Sequence, residues 1–97
     1  MKAVMLAEAE REIEEAFDYY QLQGEGLGMD LLEEFRRGVD RILENPDRWQ
    51  QLDYVFRRYR LHRFPYGLIY KISVDRGLIE IQAVMHMSRK PGYWQQR

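Results

Sequence analysis

Apolar side chains recur at helical spacing in the first half of the chain and at alternate positions in the second. Between Glu8 and Tyr20, the residues Ala9, Ile13, Ala16, Phe17 and Tyr20 form one stripe, while Glu8, Glu12, Glu15 and Asp18 fall elsewhere. That spacing predicts an amphipathic helix with a solvated acidic face. Gln21 to Gly28 follows, where Gly24, Gly26 and Gly28 favour a turn because glycine admits positive φ. A second helix is expected from Asp30, its cap, with Glu33 as capping-box partner and Leu31, Phe35, Val39 and Ile42 as its apolar stripe. Asn45-Pro46 ends it, since the residue before proline is pushed out of the α region.

From Tyr54 to Phe64 the period becomes two, with Val55, Tyr59 and Leu61 on one side and Arg58, Arg60 and His62 on the other. Pro65-Tyr66-Gly67 supplies turn chemistry, and Leu68, Tyr70, Ile72 and Val74 then alternate with Ile69, Lys71 and Ser73. After a turn at Asp75-Arg76-Gly77, a last strand runs from Leu78 to about Met85. Lys2 to Leu6 is a short candidate edge strand. A helical hairpin that must bury two stripes against a three-stranded meander defines an α+β fold.

Composition narrows the picture. With 97 residues and 45% hydrophobic side chains the chain builds one core, so a single domain over residues 1–97 is expected. There is no cysteine, hence no disulfide framework and no thiolate, which suits a reducing cytoplasm. No stretch approaches the roughly 20 apolar residues of a membrane span, and a soluble, cytoplasmic protein without membrane association is expected. The net charge of -1 hides a polarity. Residues 1–47 carry 5 basic and 13 acidic side chains, a net of -8, and residues 48–97 carry 10 and 3, a net of +7. Such a basic half suits an anionic partner, either nucleic acid or an acidic protein segment, or else pairs with the acidic helices within the fold.

Two histidines and no paired-ligand spacing argue against a metal site, and the glycines between two helices read as turn rather than phosphate cradle. Neither metal nor cofactor is expected. Glu80 is the one acid inside a strand of the basic half, a general base if it faces a cleft and otherwise a partner for Arg58 or Lys71.

The order of these elements, with Glu44-Asn45-Pro46, Arg57-Arg58, Arg63-Phe64-Pro65-Tyr66, Ile69-Tyr70-Lys71-Ile72, Ile79 to Val84, His86 and Arg89-Lys90-Pro91, resembles the RelE/ParE superfamily of bacterial type II toxins. The resemblance covers nearly the whole chain. It implies a first β-strand, assigned to Lys2–Leu6, and hence a β-α-α-β-β-β order. The family often caps its first helix with Ser or Thr, where Leu6-Ala7 stands here. It also implies a cognate antitoxin whose partly disordered, acidic or amphipathic segment wraps the toxin in a hetero-oligomer.

Two branches of that superfamily differ in chemistry. RelE-like members cut messenger RNA on the ribosome, which requires a base, an acid and cations around the scissile phosphate. For that reading the candidate catalytic residues are His86, as the residue type suited to act as acid or base, with Arg89 and Tyr93. ParE-like members inhibit DNA gyrase, which requires a recognition surface. For target or antitoxin binding the candidates are Arg58, Arg60, Arg63, Lys90 and Trp94. The ending His86-Met-Ser-Arg-Lys-Pro-Gly-Tyr-Trp94 looks closer to the ParE-like, non-catalytic branch. Tyr93 and Trp94, beyond the last strand, are either a tail docked on the core or an exposed contact for a partner.

Overall fold

The computed structural model describes residues 1–97. In chain order the elements are β1 (Lys2–Met5), α1 (Ala7–Gln23), α2 (Leu27–Glu44), β2 (Gln50–Gln51), β3 (Phe56–Arg60), β4 (Tyr66–Ser73) and β5 (Leu78–His86). The strands form one sheet in the order β1-β5-β4-β3-β2. β1 lies parallel to β5 and every other pairing is antiparallel. This is the expected α+β architecture with one addition: β2, two glutamines paired with Arg57 and Arg58, was not legible as a strand. Two residues carry no alternation to read.

The helical hairpin is tighter than the glycine pattern predicted. Gly24 closes α1, and Gly26, at φ 81°, forms the N-cap of α2, so the turn is three residues long. The left-handed backbone at Gly26 explains that glycine. Gly28 is no turn residue, and Asp30 does not cap the helix. Gly28 lies inside the first turn of α2, where a Cβ would come within 2.8 Å of the Phe17 ring. Its N–H donates to Gln21 Oε1 at 2.8 Å, so a side chain of α1 satisfies one of the free amides at the start of α2. Asp30 sits in that first turn, where its charge complements the helix dipole. Leu6, in the N-cap position of α1, makes no side-chain capping bond.

Both stripes pack on one face of the sheet. Ala9, Ile13, Ala16, Leu31 and Ile42 meet Tyr59, Leu68, Tyr70, Ile79, Ile81 and Val84 there. Leu31 and Ile42 are fully buried, and each stabilises the fold by about 1.5–3 kcal/mol relative to exposure. The Tyr70 hydroxyl donates to the Pro46 carbonyl at 2.6 Å and ties the connection after α2 to the core; burial pushes its pKa up to about 12.

A bulge in β5 decides what the sheet presents. Ile69 pairs with Ala83 and Tyr70 with Ile81, leaving Gln82 without a partner on β4. The extra residue reverses the alternation. Before it, the odd-numbered Ile79 and Ile81 face the helices; after it, the even-numbered Val84 does, and Ala83 and Met85 turn to the opposite face. His86, paired with Tyr66, therefore emerges on the helical side. The opposite face carries a second cluster of Phe56, Ile69, Ala83, Met85 and Trp94.

Candidate functional site

The segment after β5 crosses one end of the sheet and is held at two places. Trp94 plugs the second cluster, 2% exposed and stacked edge-on against Phe56 at 4.6 Å between ring centroids. Of the two alternatives for the tail, docking is the one the structure adopts, with the Trp94 ring buried. The second anchor is Glu12 on α1. Its carboxylate receives a bidentate pair from Arg97 at 2.8 and 2.9 Å, the Tyr93 hydroxyl at 2.6 Å and the Val84 N–H at 3.0 Å. Arg89 adds an ion pair at 3.5 Å.

The acidic face of α1 is therefore not uniformly solvated: the Glu12 side chain is 13% exposed. Burial acts to raise its pKa, but the bonds from Arg97, Tyr93 and Val84 outweigh it and hold the carboxyl below its ordinary range. The partners respond in kind. Burial and the bond to Glu12 push the Tyr93 phenol well up, and the bond to Glu12 raises Arg97 further. Arg89 lies over one side of the network, with its guanidinium carbon 3.4 Å from the Tyr93 ring centroid, and Arg97 stands 4.9 Å from the same centroid.

The bulge explains why Glu12 is recruited. β1 pairs with β5 only as far as Ile81, whose carbonyl accepts the last rung from Leu6 N–H. Beyond that point β5 has lost its neighbour. Val84 N–H donates to Glu12 and the Gln82 carbonyl accepts from Arg97 at 3.2 Å, so an ion pair replaces the missing strand. Gln82 Nε2 in turn donates to the Trp94 carbonyl at 3.3 Å.

The residues singled out from the sequence divide among three places. His86, Arg89 and Tyr93 gather around Glu12. His86 and Arg89 line a hollow of about 240 Å³ with Glu12, Glu15, Tyr19 and Tyr66. His86 Nδ1 accepts the Ser88 N–H at 3.1 Å, so the neutral ring carries its proton on Nε2. Its ring packs edge-on against Tyr66 at 5.1 Å. Arg58 lies on the opposite face, where it donates to Gln50 Oε1 at 2.8 Å and lines a separate hollow with Trp94 and Met85. Arg60 is exposed on the same strand, and Lys90 is exposed beyond β5.

Arg63 occupies the loop between β3 and β4, 3.6 Å from Asp30 and 5.5 Å from the Phe64 ring centroid. That loop is capped by Glu34 of α2, which accepts the backbone N–H groups of His62 and Arg63. Glu80 is the ion-pair partner of Lys71, at 3.3 Å across the β4–β5 register. Arg57 donates to the carbonyls of Asp47 and Trp49, both at 2.9 Å, and pins the connection after α2.

Residues 4–91 match the family model described as "ParE toxin of type II toxin-antitoxin system, parDE". The chain belongs to the ParE toxin family. Family members act within a toxin–antitoxin module, so a cognate antitoxin is this chain's partner class. Among solved structures the fold is similar to a chain of "Chromosomal ParDE TA system from P. aeruginosa", with a TM-score of 0.75 at 14% identity over 89% of this chain and 95% of that one. No curated protein sequence matches. In this ParE-family chain no helix is long and apolar enough to cross a membrane.

Sequence reasoning missed Glu12 and Arg97, and one signal for Glu12 was present. It lies three residues after Ala9 and four before Ala16, on the flank of the buried stripe rather than opposite it. Arg97 carried no such signal, because its partner is 85 residues away.

Proposed function

We propose that this chain acts as a toxin by binding and stalling DNA gyrase through a non-catalytic surface in its basic C-terminal half, and that its antitoxin neutralises it by covering that surface. Membership of the ParE family supports the toxin role. The observation that carries the non-catalytic reading is the commitment of the candidate nuclease residues to one another. The Tyr93 hydroxyl is spent on Glu12, its pKa is raised, and Arg89 is stacked on Tyr93 and paired with the same carboxylate. A proton donor in general acid catalysis works best with a pKa near the operating pH, and this phenol has moved away from it. What remains exposed is cationic: Arg60, Lys90 and, at 55% exposure, Arg89. Exposed cations serve recognition of an acidic surface.

The competing reading is a ribosome-dependent messenger RNA nuclease. It draws on one feature, the shared hollow of His86 and Arg89. Expression without antitoxin, followed by separate labelling of DNA, RNA and protein synthesis, distinguishes the two. Gyrase inhibition predicts an early fall in DNA synthesis, with purified protein inhibiting supercoiling and His86→Ala still arresting growth. An early fall in translation with cleaved messages, abolished by His86→Ala at a loss of about 10²–10⁴ in rate, would establish the nuclease instead. Antitoxin affinity should fall as salt rises, because the covered surface is cationic.

A further inference from the structure

We infer that Glu12 and Arg97 are a positioning pair for the toxic surface: they hold the segment after β5 in one conformation and thereby fix Arg89 and Lys90 as oriented cations. The inference rests on the reading that the basic C-terminal half contacts the target, whichever target that is.

Three observations converge on the pair. First, it stands where β1 ends, and it satisfies two backbone groups of β5 that would otherwise form an open sheet edge, Val84 N–H and the Gln82 carbonyl. Its removal therefore frees the strand and the segment together. Second, the pair is enclosed, with Glu12 and Arg97 side chains only 13% and 15% exposed and joined by two parallel hydrogen bonds. A bidentate guanidinium–carboxylate contact fixes orientation as well as distance. Third, the two arginines share Glu12 unequally. Arg97 takes the two short bonds, while Arg89 sits 3.5 Å from Glu12 Oε2 and remains 55% exposed. Arg89 is thus the more exposed of the two cations, with its guanidinium carbon 3.4 Å from the Tyr93 ring centroid.

Trp94 and the pair do different work. The indole anchors the segment to the core by burial, which is strong but tolerant of small rotations. The ion pair sets where the stretch from Met87 to Tyr93 lies relative to α1. Losing it leaves Trp94 buried and the fold intact, while Arg89 and Lys90 sample many directions.

The test uses the full chain with Arg97→Gln, Arg97→Lys and Glu12→Gln. Growth arrest is titrated against inducer, folding is followed by thermal melting, and hydrogen exchange is read at the Val84 amide and over residues 87–97. Arg97→Gln is expected to melt as a folded protein, to exchange faster over residues 87–97, and to require roughly tenfold or more expression for the same arrest, the scale of a lost charge-assisted hydrogen bond. Arg97→Lys, which keeps the charge and one contact, should recover part of the potency. Full potency in a folded Arg97→Gln variant, or unchanged exchange over residues 87–97, would overturn the inference. Should Arg97→Gln fail to fold, Glu12→Gln, which keeps an acceptor for Val84 N–H, carries the same comparison. Supercoiling by gyrase is assayed in parallel. Wild-type protein that arrests growth without inhibiting gyrase refutes the proposed target, while the potency ratio of the variants still decides the role of the pair.

Discussion

Two carboxylate-centred clusters join the acidic helices to the basic half of the chain, and they behave differently because one is buried and one is not. On α2, Asp30 and Glu34 meet the loop after β3: Arg63 pairs with Asp30 at 3.6 Å with side chains 63% and 45% exposed, beside a hollow of about 230 Å³ open to solvent. On α1, Glu12 meets Arg97 and Tyr93 in a largely buried hydrogen-bonded network. Water screens the first fully and reaches the second far less. Like residue types drawn from the same two halves thus give a weak surface contact in one place and a structural clamp in the other. Burial, which charge counting does not contain, makes the difference.

The largest effect should follow from Trp94→Ala, which removes the apolar anchor beside the α1 clamp and is expected to destabilise the fold by about 3–5 kcal/mol in denaturant unfolding. If the loss is far smaller, the ion pair alone holds the segment. Next comes Glu12→Ala, with an expected loss of about 3 kcal/mol, because it strands Arg97, Tyr93 and Val84 N–H together. Asp30→Asn should change stability by less than about 1 kcal/mol, and high salt should erase even that. An equal cost for Glu12→Ala and Asp30→Asn would remove the contrast between the clusters.

The same contrast is expected in pH. Glu12 has a folded pKa below its ordinary value of 4.5, so its contribution is complete above that value and is lost as pH falls further, through the folded pKa. Tyr93 has a folded pKa above 10.0, so its contribution persists below that value and is lost as pH rises through the folded pKa. Melting temperatures of wild type and Glu12→Gln measured down through acid pH should converge, since protonation abolishes the charge that the substitution removes. A constant gap between them would assign the stabilisation to packing. On the exposed side of the contrast, Glu34→Ala should cost about 1 kcal/mol through the two amides of the loop.

Much of the architecture was legible from periodicity. The stripes on α1 and α2 and the strands around Tyr59, Tyr70 and Ile79 follow from side-chain spacing, because each element must bury its own apolar face, whereas β1 followed from the family resemblance. The antitoxin-partnered toxin family was likewise legible, in the linear order of motifs from Asn45-Pro46 to Lys90-Pro91. For Glu80 the sequence leaves open a general base or a partner of Arg58 or Lys71, and the structure pairs it with Lys71. Other features were not legible locally. Gly28 looks like a turn residue until Phe17 of the neighbouring helix is brought against it. The two glutamines of β2 become a strand only because β3 offers an edge.

The sequence by itself determined both helices and the three long strands, the polarity of charge between the halves, and the family to which the chain belongs. The tertiary structure alone decided how those charges are used. The Gln82 bulge turned His86 toward the helices, and the early end of β1 left two backbone groups on β5 to be satisfied by Glu12 and Arg97. The physical reason is range: hydrophobic periodicity is set within a few residues, whereas the strength of a charge contact depends on the solvent that distant parts of the chain exclude.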